Sequence, residues 1–376
     1  MPAGLTVHGC TAQVLLSPGP YGRVTDGPES TVREDVFVVP SVARRALAAL
    51  VVGLLASPAL AQTPVRFSLD WRWEGPAAPF AVALDKGYFK AEGLDVTIDP
   101  AAGSREPISR VASGSYDAGF GDVNSLVRFR DENPTSDVKA VMVVYDRPPF
   151  SIVGRKSRGI TTDLASLKGK KFGAPAADGA YAQWPILKAV NKIDDAGMRF
   201  ENVGFPVREP LLAQGEVDAV FGFSMSSSIN LKARGIPADD VVVLLMSDYG
   251  VDLYGNTIIV SPKFAAEKPD AVKGLLRAIA RGVKDTVADP ASAVDGVIRR
   301  NDVAKKEVEL ERLKMVLDQN VVTPWVKANG VGGIDTARFA RALDQIGLTF
   351  TYKAKPKVED VFDDRFLPPA ADRKVM

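Results

Sequence analysis

Histidine and cysteine are almost missing from this chain: 376 residues hold one of each, His8 and Cys10, both within the first ten positions. Past residue 10 there is no imidazole base, thiolate nucleophile, disulfide or Cys/His metal site to be had. That removes the Ser-His-Asp and Cys-His catalytic designs, and no metal centre or cofactor is expected. Charge of one sign is missing too. With 47 Lys+Arg against 46 Asp+Glu the net charge is +1, so no basic excess awaits a nucleic-acid backbone and no nucleic-acid partner is expected. What is present, 46% hydrophobic and 25% charged residues, is the composition of a globular protein long enough for two lobes.

The apolar stretch from Ala46 to Ala56 follows Arg44-Arg45 and precedes Ser57-Pro58-Ala59-Leu60-Ala61. Positive region, short hydrophobic core and small-x-small site in this order predict a secretory signal over 44–61. The run falls short of the roughly 20 apolar residues of a membrane span. Gln62, not Cys, follows the expected cut, so no lipid anchor is expected and the product is placed in the periplasm. Residues 1–43 form a Gly- and Pro-rich leader without helix or strand period, and translation is expected to start near Val38 or Val39. The mature chain then has neither His nor Cys.

From Val65 onward strands and helices alternate. Val65 to Asp70, Leu94 to Ile98 and Ala118 to Phe120 have strand patterns, with a helix opened by Pro79 and another over Ile108 to Ala112 between them. A second such unit runs from the strand at Lys171 to Ala174, through a helix from about Tyr181 to Asn191 and a strand over Phe200 to Phe205, to Val220-Phe221. Gly114-Ser-Tyr-Asp117-Ala-Gly-Phe-Gly121 recurs as Gly215-Glu-Val-Asp218-Ala-Val-Phe-Gly222, each preceded by Arg-Glu-Pro at Arg105 to Pro107 and Arg208 to Pro210. The class is therefore α/β, with two echoing α/β lobes. Extended stretches at Val143 to Ile152 and Tyr254 to Val260 are the expected crossover strands. They divide the chain into lobe 1 (62–150 and 257–376) and lobe 2 (151–256). Long helices follow, from Pro269, over Ser292 to Ile298 and over Val308 to Leu317. Glu309-Leu310-Glu311-Arg312 is expected on an exposed helix face, and Lys168 to Lys171 as a solvated turn.

Four segments, GYFKAEGLDVTI (Gly87 to Ile98), RVASGSYDAGFGD (Arg110 to Asp122), DLASLKGKKFGAP (Asp163 to Pro175) and LLAQGEVDAVFGF (Leu211 to Phe223), resemble the periplasmic substrate-binding proteins of ABC importers. The branch they resemble is that for thiamine-pyrimidine precursors, nitrate, sulfonates and taurine. The resemblance implies a two-lobed type II periplasmic binding protein fold, capture of a small-molecule solute, and delivery to an ABC permease in the inner membrane. It also touches eukaryotic pyrimidine synthases, which are implied to use an active-site His, a Cys-rich motif and a pyridoxal cofactor. A mature chain without His or Cys is not expected to be such an enzyme.

In open α/β sheets ligands bind beyond the carboxyl ends of strands. That rule selects Asp70, Trp71, Arg72 and Trp73 with Phe80 after the first strand, Ser104 and Arg105 after the second, and Asp122 and Asn124 after the third. In the second lobe it selects Asp178, Tyr181, Trp184, Phe223 and Ser224, with Tyr249 and Tyr254 beside the return crossing. Three tryptophans on such loops favour a flat aromatic or pyrimidine-like heterocycle, with Asp122 and Asn124 to meet its polar edges. The alternatives are a receptor for a small anion such as sulfonate or nitrate, with Ser104, Arg105 and the serines from Ser224 as donors, and a secreted enzyme on the same fold. The carboxylates Asp70, Glu74, Asp122 and Asp178 set against Arg72 and Arg105 rank the heterocycle first. A monomer is expected.

Overall fold

The computed structural model describes Gly27 and residues 62–376. The expected leader and signal segment lie outside the described residues. Among the described residues ten strands form two five-stranded sheets. The first contains β1 (Thr63–Ser68), β2 (Leu94–Asp99), β3 (Ala118–Asp122), β4 (Lys139–Val143) and β10 (Asn256–Val260), in the order β2-β1-β3-β10-β4. The second contains β5 (Phe150–Arg155), β6 (Lys171–Gly173), β7 (Arg199–Glu201), β8 (Ala219–Phe223) and β9 (Val241–Leu245), in the order β7-β6-β8-β5-β9. In each sheet four strands run in one direction, and the fifth, β10 or β5, lies antiparallel between the third and the outer strand. That antiparallel strand is the first one after a crossing between lobes. The fold is thus α/β and two-lobed.

The repeated turn explains why the sheets match. Gly114 and Gly215 both have positive φ, +74° and +82°, which a side chain would resist. Three residues on, Asp117 Oδ2 accepts the Arg66 N–H at 2.8 Å and Asp218 Oδ2 accepts the Lys171 N–H at 2.9 Å. Each carboxylate thereby holds the neighbouring strand, β1 or β6, one residue before its pairing with β3 or β8 begins. Central strands are buried along their length, as in β3 (Ala-Gly-Phe-Gly-Asp), which suits a sheet covered on both faces.

The helices that position the cleft are α1 (Ala78–Asp85), α2 (Glu106–Ala112), α3 (Val123–Glu132), α4 (Gly179–Ala182), α5 (Trp184–Asn191), α6 (Phe205–Gln214), α7 (Ser224–Lys232), α8 (Pro269–Ala288), α9 (Lys306–Val316) and α10 (Thr336–Ile346). Along α8, Val272, Leu275, Leu276, Ile279 and Val283 are fully buried at helical spacing, covering the first sheet. A Cβ on Gly282 would sit 2.2 Å from the Pro79 carbonyl, so this glycine sets how closely α8 approaches α1.

Two expectations shift. The helix from Tyr181 to Asn191 is interrupted at Gln183, because Pro185 has no N–H to continue the ladder. The strand expected over Phe200 to Phe205 ends at Glu201, and Phe205 instead opens α6, with Pro206 in its first turn.

The two passages between sheets pair with each other: Val144 and Tyr145 both donate N–H to the Asn256 carbonyl at 3.0 Å, and Gly255 N–H meets the Tyr145 carbonyl at 2.9 Å. Arg338 on α10 clamps them. It reaches Asp146 Oδ1 at 3.0 Å on the first passage, and Asp252 Oδ1 at 2.9 Å and the Leu253 carbonyl at 2.7 Å on the second.

Candidate functional site

A cavity of about 260 Å³ lies between the lobes. Its inner end is formed by Asp70, which follows β1, together with Phe120 of β3 and Tyr145 of the first passage. Asp70 Oδ2 accepts Asn256 Nδ2 at 2.7 Å, and its carbonyl accepts Gly103 N–H at 3.0 Å. Gly103, at φ +121°, turns the loop after β2 toward the opposite lobe, 3.5 Å from the Phe205 ring for an added Cβ. Burial pushes the Asp70 carboxyl up to about 7, against the lowering effect of Asn256, while Glu74 and Asp122 raise it further. Near neutral pH this group can both donate and accept.

One wall is aromatic and crosses the gap. Trp71 stands edge-on to Phe205 with centroids 5.1 Å apart, one ring from each lobe. Trp71 Nε1 donates to Glu74 Oε1 at 3.3 Å. Phe223, packed on Phe150, contributes a third ring.

Two buried arginines flank this wall, and each is neutralised. Arg208 on α6 donates to Asp178 Oδ2 at 2.8 Å and twice to Glu209 Oε1, at 2.9 and 2.7 Å; Ser227 Oγ also donates to Glu209 Oε1. Burial alone would lower the Arg208 pKa, but Glu209 and Asp178 more than offset it and hold the guanidinium charged. Arg312 on α9 lies 3.1 Å from Glu309 and 3.5 Å from Glu74. Its other nitrogens reach across to α7, to the Met225 carbonyl at 3.0 Å and Asn230 Oδ1 at 3.2 Å. Burial raises the Glu74 carboxyl although Arg312 pulls it down.

Of the residues selected from sequence, the structure brings Asp70, Trp71, Arg72, Ser104, Asp178 and Phe223 to the cavity. The others lie elsewhere. Phe80 is core, between Phe67 and Phe120. Trp73 is buried beneath the Arg300 guanidinium, and Trp184 and Tyr181 pack on Phe200 and Phe221. Asp122 is fully buried and not part of the cavity lining. Its carboxylate caps α3 through the N–H groups of Asn124 and Ser125, and Asn124 Nδ2 is taken by Asp122 and the Tyr254 carbonyl. Arg105 faces outward on lobe 1, beside Ser109 and Arg128. Ser224 Oγ is held by Gln319, Tyr249 donates its hydroxyl to the Thr162 carbonyl, and Tyr254 is buried under Arg338. Asp178, though on the cavity, also caps α4.

Reasoning from sequence missed Phe205, Arg208, Glu209 and Arg312. Arg208-Glu209-Pro210 stood out as an echo but was not assigned to the site. Glu309 and Arg312, expected on an exposed face, are 4% and 3% exposed, because α9 lies against α7 of the other lobe. No lysine lines the cavity, and among the described residues no cluster of His, Cys, Asp and Glu could hold a metal.

The chain is similar to a riboflavin-binding protein of Chloroflexus aurantiacus, 27% identical over 300 residues, 77% of this chain and 82% of that one. It is 28% identical over 267 residues to a formylaminopyrimidine-binding protein of Halalkalibacterium halodurans, 68% and 77% of the two chains. It is 25% identical over 283 residues to a 4-amino-5-hydroxymethyl-2-methylpyrimidine phosphate synthase of Aspergillus parasiticus, 71% and 81% of the two chains. Among solved structures, the nitrate-binding protein of Synechocystis PCC 6803 shares the fold with a TM-score of 0.62 at 13% identity, over 81% of this chain and 87% of that one. An alkanesulfonate-binding protein of Xanthomonas axonopodis pv. citri does so with a TM-score of 0.61 at 14% identity, over 82% and 98%. The two-lobed fold is that of the periplasmic substrate-binding proteins, and the family model described as NMT1/THI5 like matches residues 76–293: the chain belongs to the NMT1/THI5-like family.

Proposed function

We propose that this protein is the solute receptor of an ABC importer, exported to the periplasm by the segment 44–61, and that it captures a small nitrogen heterocycle in the cavity between its lobes as a monomer. The observation that carries this reading is the pairing of an aromatic wall, Trp71 against Phe205, with a carboxyl group at the inner end, Asp70, that burial pushes up to about 7. A flat ring slides against the wall, and a carboxyl that donates and accepts matches a ring nitrogen beside an amino or carbonyl group. Ser104, Asp178, Phe223 and Arg72 complete the binding set. Binding favours closure because Trp71 and Phe205 belong to different lobes, so a ring held by both is bound better by the closed form.

Deep in the cavity a small bare anion fits less well. Arg208 and Arg312 are each matched by two carboxylates, so neither offers an uncompensated charge. A synthase reading, prompted by relatives named as synthases, finds no imidazole, thiol or lysine amine among the described residues lining the cavity and is left with carboxylates such as Asp70.

The test is a thermal-shift and calorimetric screen of the purified protein against riboflavin, aminopyrimidines, nitrate and an alkanesulfonate. A heterocycle at 100 times its Kd is expected to add about 2.7 kcal/mol of stability, with nitrate and sulfonate giving none. Stabilisation by nitrate or sulfonate alone, or steady turnover of a bound pyrimidine, would overturn the proposal.

A further inference from the structure

The cavity has four arginines within reach of its lining, and they fall into two classes. Arg208 and Arg312 are buried and saturated by carboxylates. Arg72 and Arg234 also line the cavity or its rim, one from each lobe, but both are exposed and neither forms an ion pair among the described residues. Arg72 lies over the Trp71 ring, its guanidinium carbon 5.3 Å from the centroid, a geometry that leaves its N–H groups in the plane free to point away. Arg234 donates one N–H to the Asn230 carbonyl at 3.0 Å, one turn back on α7, and keeps the rest. Glu74, which also lines the cavity, is engaged by Trp71 and Arg312, and Arg72 acts on it more weakly than Arg312 does.

Closing the lobes gathers these two positive groups at one rim. That arrangement opposes closure unless something negative lies between them, in which case it favours closure. Guanidinium groups approached from two sides are suited to an oxyanion, which accepts two parallel N–H bonds from each.

We propose that Arg72 and Arg234 form an oxyanion subsite at the outer end of the cavity, so that the solute is a heterocycle bearing a phosphate monoester or carboxylate on its solvent-facing end. This rests on the heterocycle reading above and adds the charge class of the solute. The aromatic wall and Asp70 hold the ring; the rim arginines hold the charged substituent and couple it to closure.

The experiment is calorimetry on the full chain with matched probes: riboflavin, riboflavin 5′-phosphate and a flavin carrying a carboxymethyl chain, and 4-amino-5-hydroxymethyl-2-methylpyrimidine with its phosphate. The anionic member of a pair is expected to bind at least about tenfold more tightly than its neutral parent, and the preference is expected to shrink in about 0.5 M NaCl. In Arg72→Gln/Arg234→Gln, judged folded by circular dichroism, the ratio within each pair is expected to fall to within about twofold of one. Whether phosphate or carboxylate shows the larger ratio identifies the substituent. A neutral parent that binds as tightly as its anion, or a double variant that keeps the preference, overturns the subsite while leaving the heterocycle reading intact. Binding of inorganic phosphate with no binding of any heterocycle overturns both.

Discussion

The two lobes share a frame and differ in what they put on it. Strand order is the same, the Gly-x-x-Asp turn makes the same backbone bond, and the antiparallel strand holds the same place. The Arg-Glu-Pro triplets, by contrast, are not equivalent. In lobe 1 Arg105 is the N-cap of α2 and Glu106 its first residue, so Arg105 points outward while Glu106 caps Ala102 and pairs with Arg110. In lobe 2, α6 starts at Phe205, which carries Arg208 and Glu209 into the helix body and turns them into the cavity, with Pro210 inside the helix. A shift of one helical turn converts a surface pair into a buried ionic cluster. A repeated frame does not dictate a repeated site.

The lobes differ most at the buried ionic cluster around Arg208. Arg208→Met leaves Asp178 and Glu209 buried without their partner and is expected to cost about 3–5 kcal/mol in urea unfolding, against about 1 kcal/mol or less for Arg110→Met at the half-exposed pair of lobe 1. Equal losses would mean that the cluster in lobe 2 is not a stability element.

Next come the matching glycines. A Cβ on Gly222 would lie 2.4 Å from Ser227 Oγ and 2.8 Å from Arg208 Nη1, whereas one on Gly121 would meet nothing nearer than 3.3 Å. Gly222→Ala is expected to cost about 1–3 kcal/mol and to weaken binding by displacing Arg208. Gly121→Ala should stay within about 1 kcal/mol and bind normally, as calorimetry would show.

Asp70, buried at the inner end of the cavity, gives a pH signature. Its folded pKa of about 7 exceeds the ordinary 3.8, so between those values the folded state holds the extra proton and stability falls as pH rises through this window. Asp70→Asn is expected to raise the melting temperature at pH 8 relative to wild type and to leave it nearly unchanged below about pH 4, with about 1.4 kcal/mol for each pKa unit realised. An identical increment at both pH values would remove Asp70 as the source.

The smallest effects test the likeness instead. Asp117→Ala and Asp218→Ala each delete one carboxylate-to-backbone bond and are expected to cost about 1–2 kcal/mol, equal within about 0.5 kcal/mol. A wide gap would show that the two turns only look alike.

Strand and helix order, the two crossings and the echoing turn were legible because each leaves a periodic or positional trace in nearby residues. Side-chain direction at loop tips leaves none. Trp71 and Trp73 sit two residues apart after the same strand, yet one faces the cavity and the other the core, because the chain bends there, Glu74 N–H reaching back to the Arg72 carbonyl at 2.9 Å. Arg312 looked like a helix-surface residue because its partners, Glu74 and the α7 carbonyls, lie far away in sequence. Asp122 looked like a ligand reader because a cap and a binding carboxylate occupy the same place after a strand.

The passage of the chain out of one sheet and back again also sets an order of assembly. All five strands of the second sheet lie between Phe150 and Leu245, so that sheet can close on contiguous chain. The first sheet has a gap between β3 and β4 until β10 arrives at Asn256–Val260, and α8 must then follow to cover it. The lobe that begins first in the sequence is therefore the one that finishes last, its completion waiting on the long-range return of a central strand.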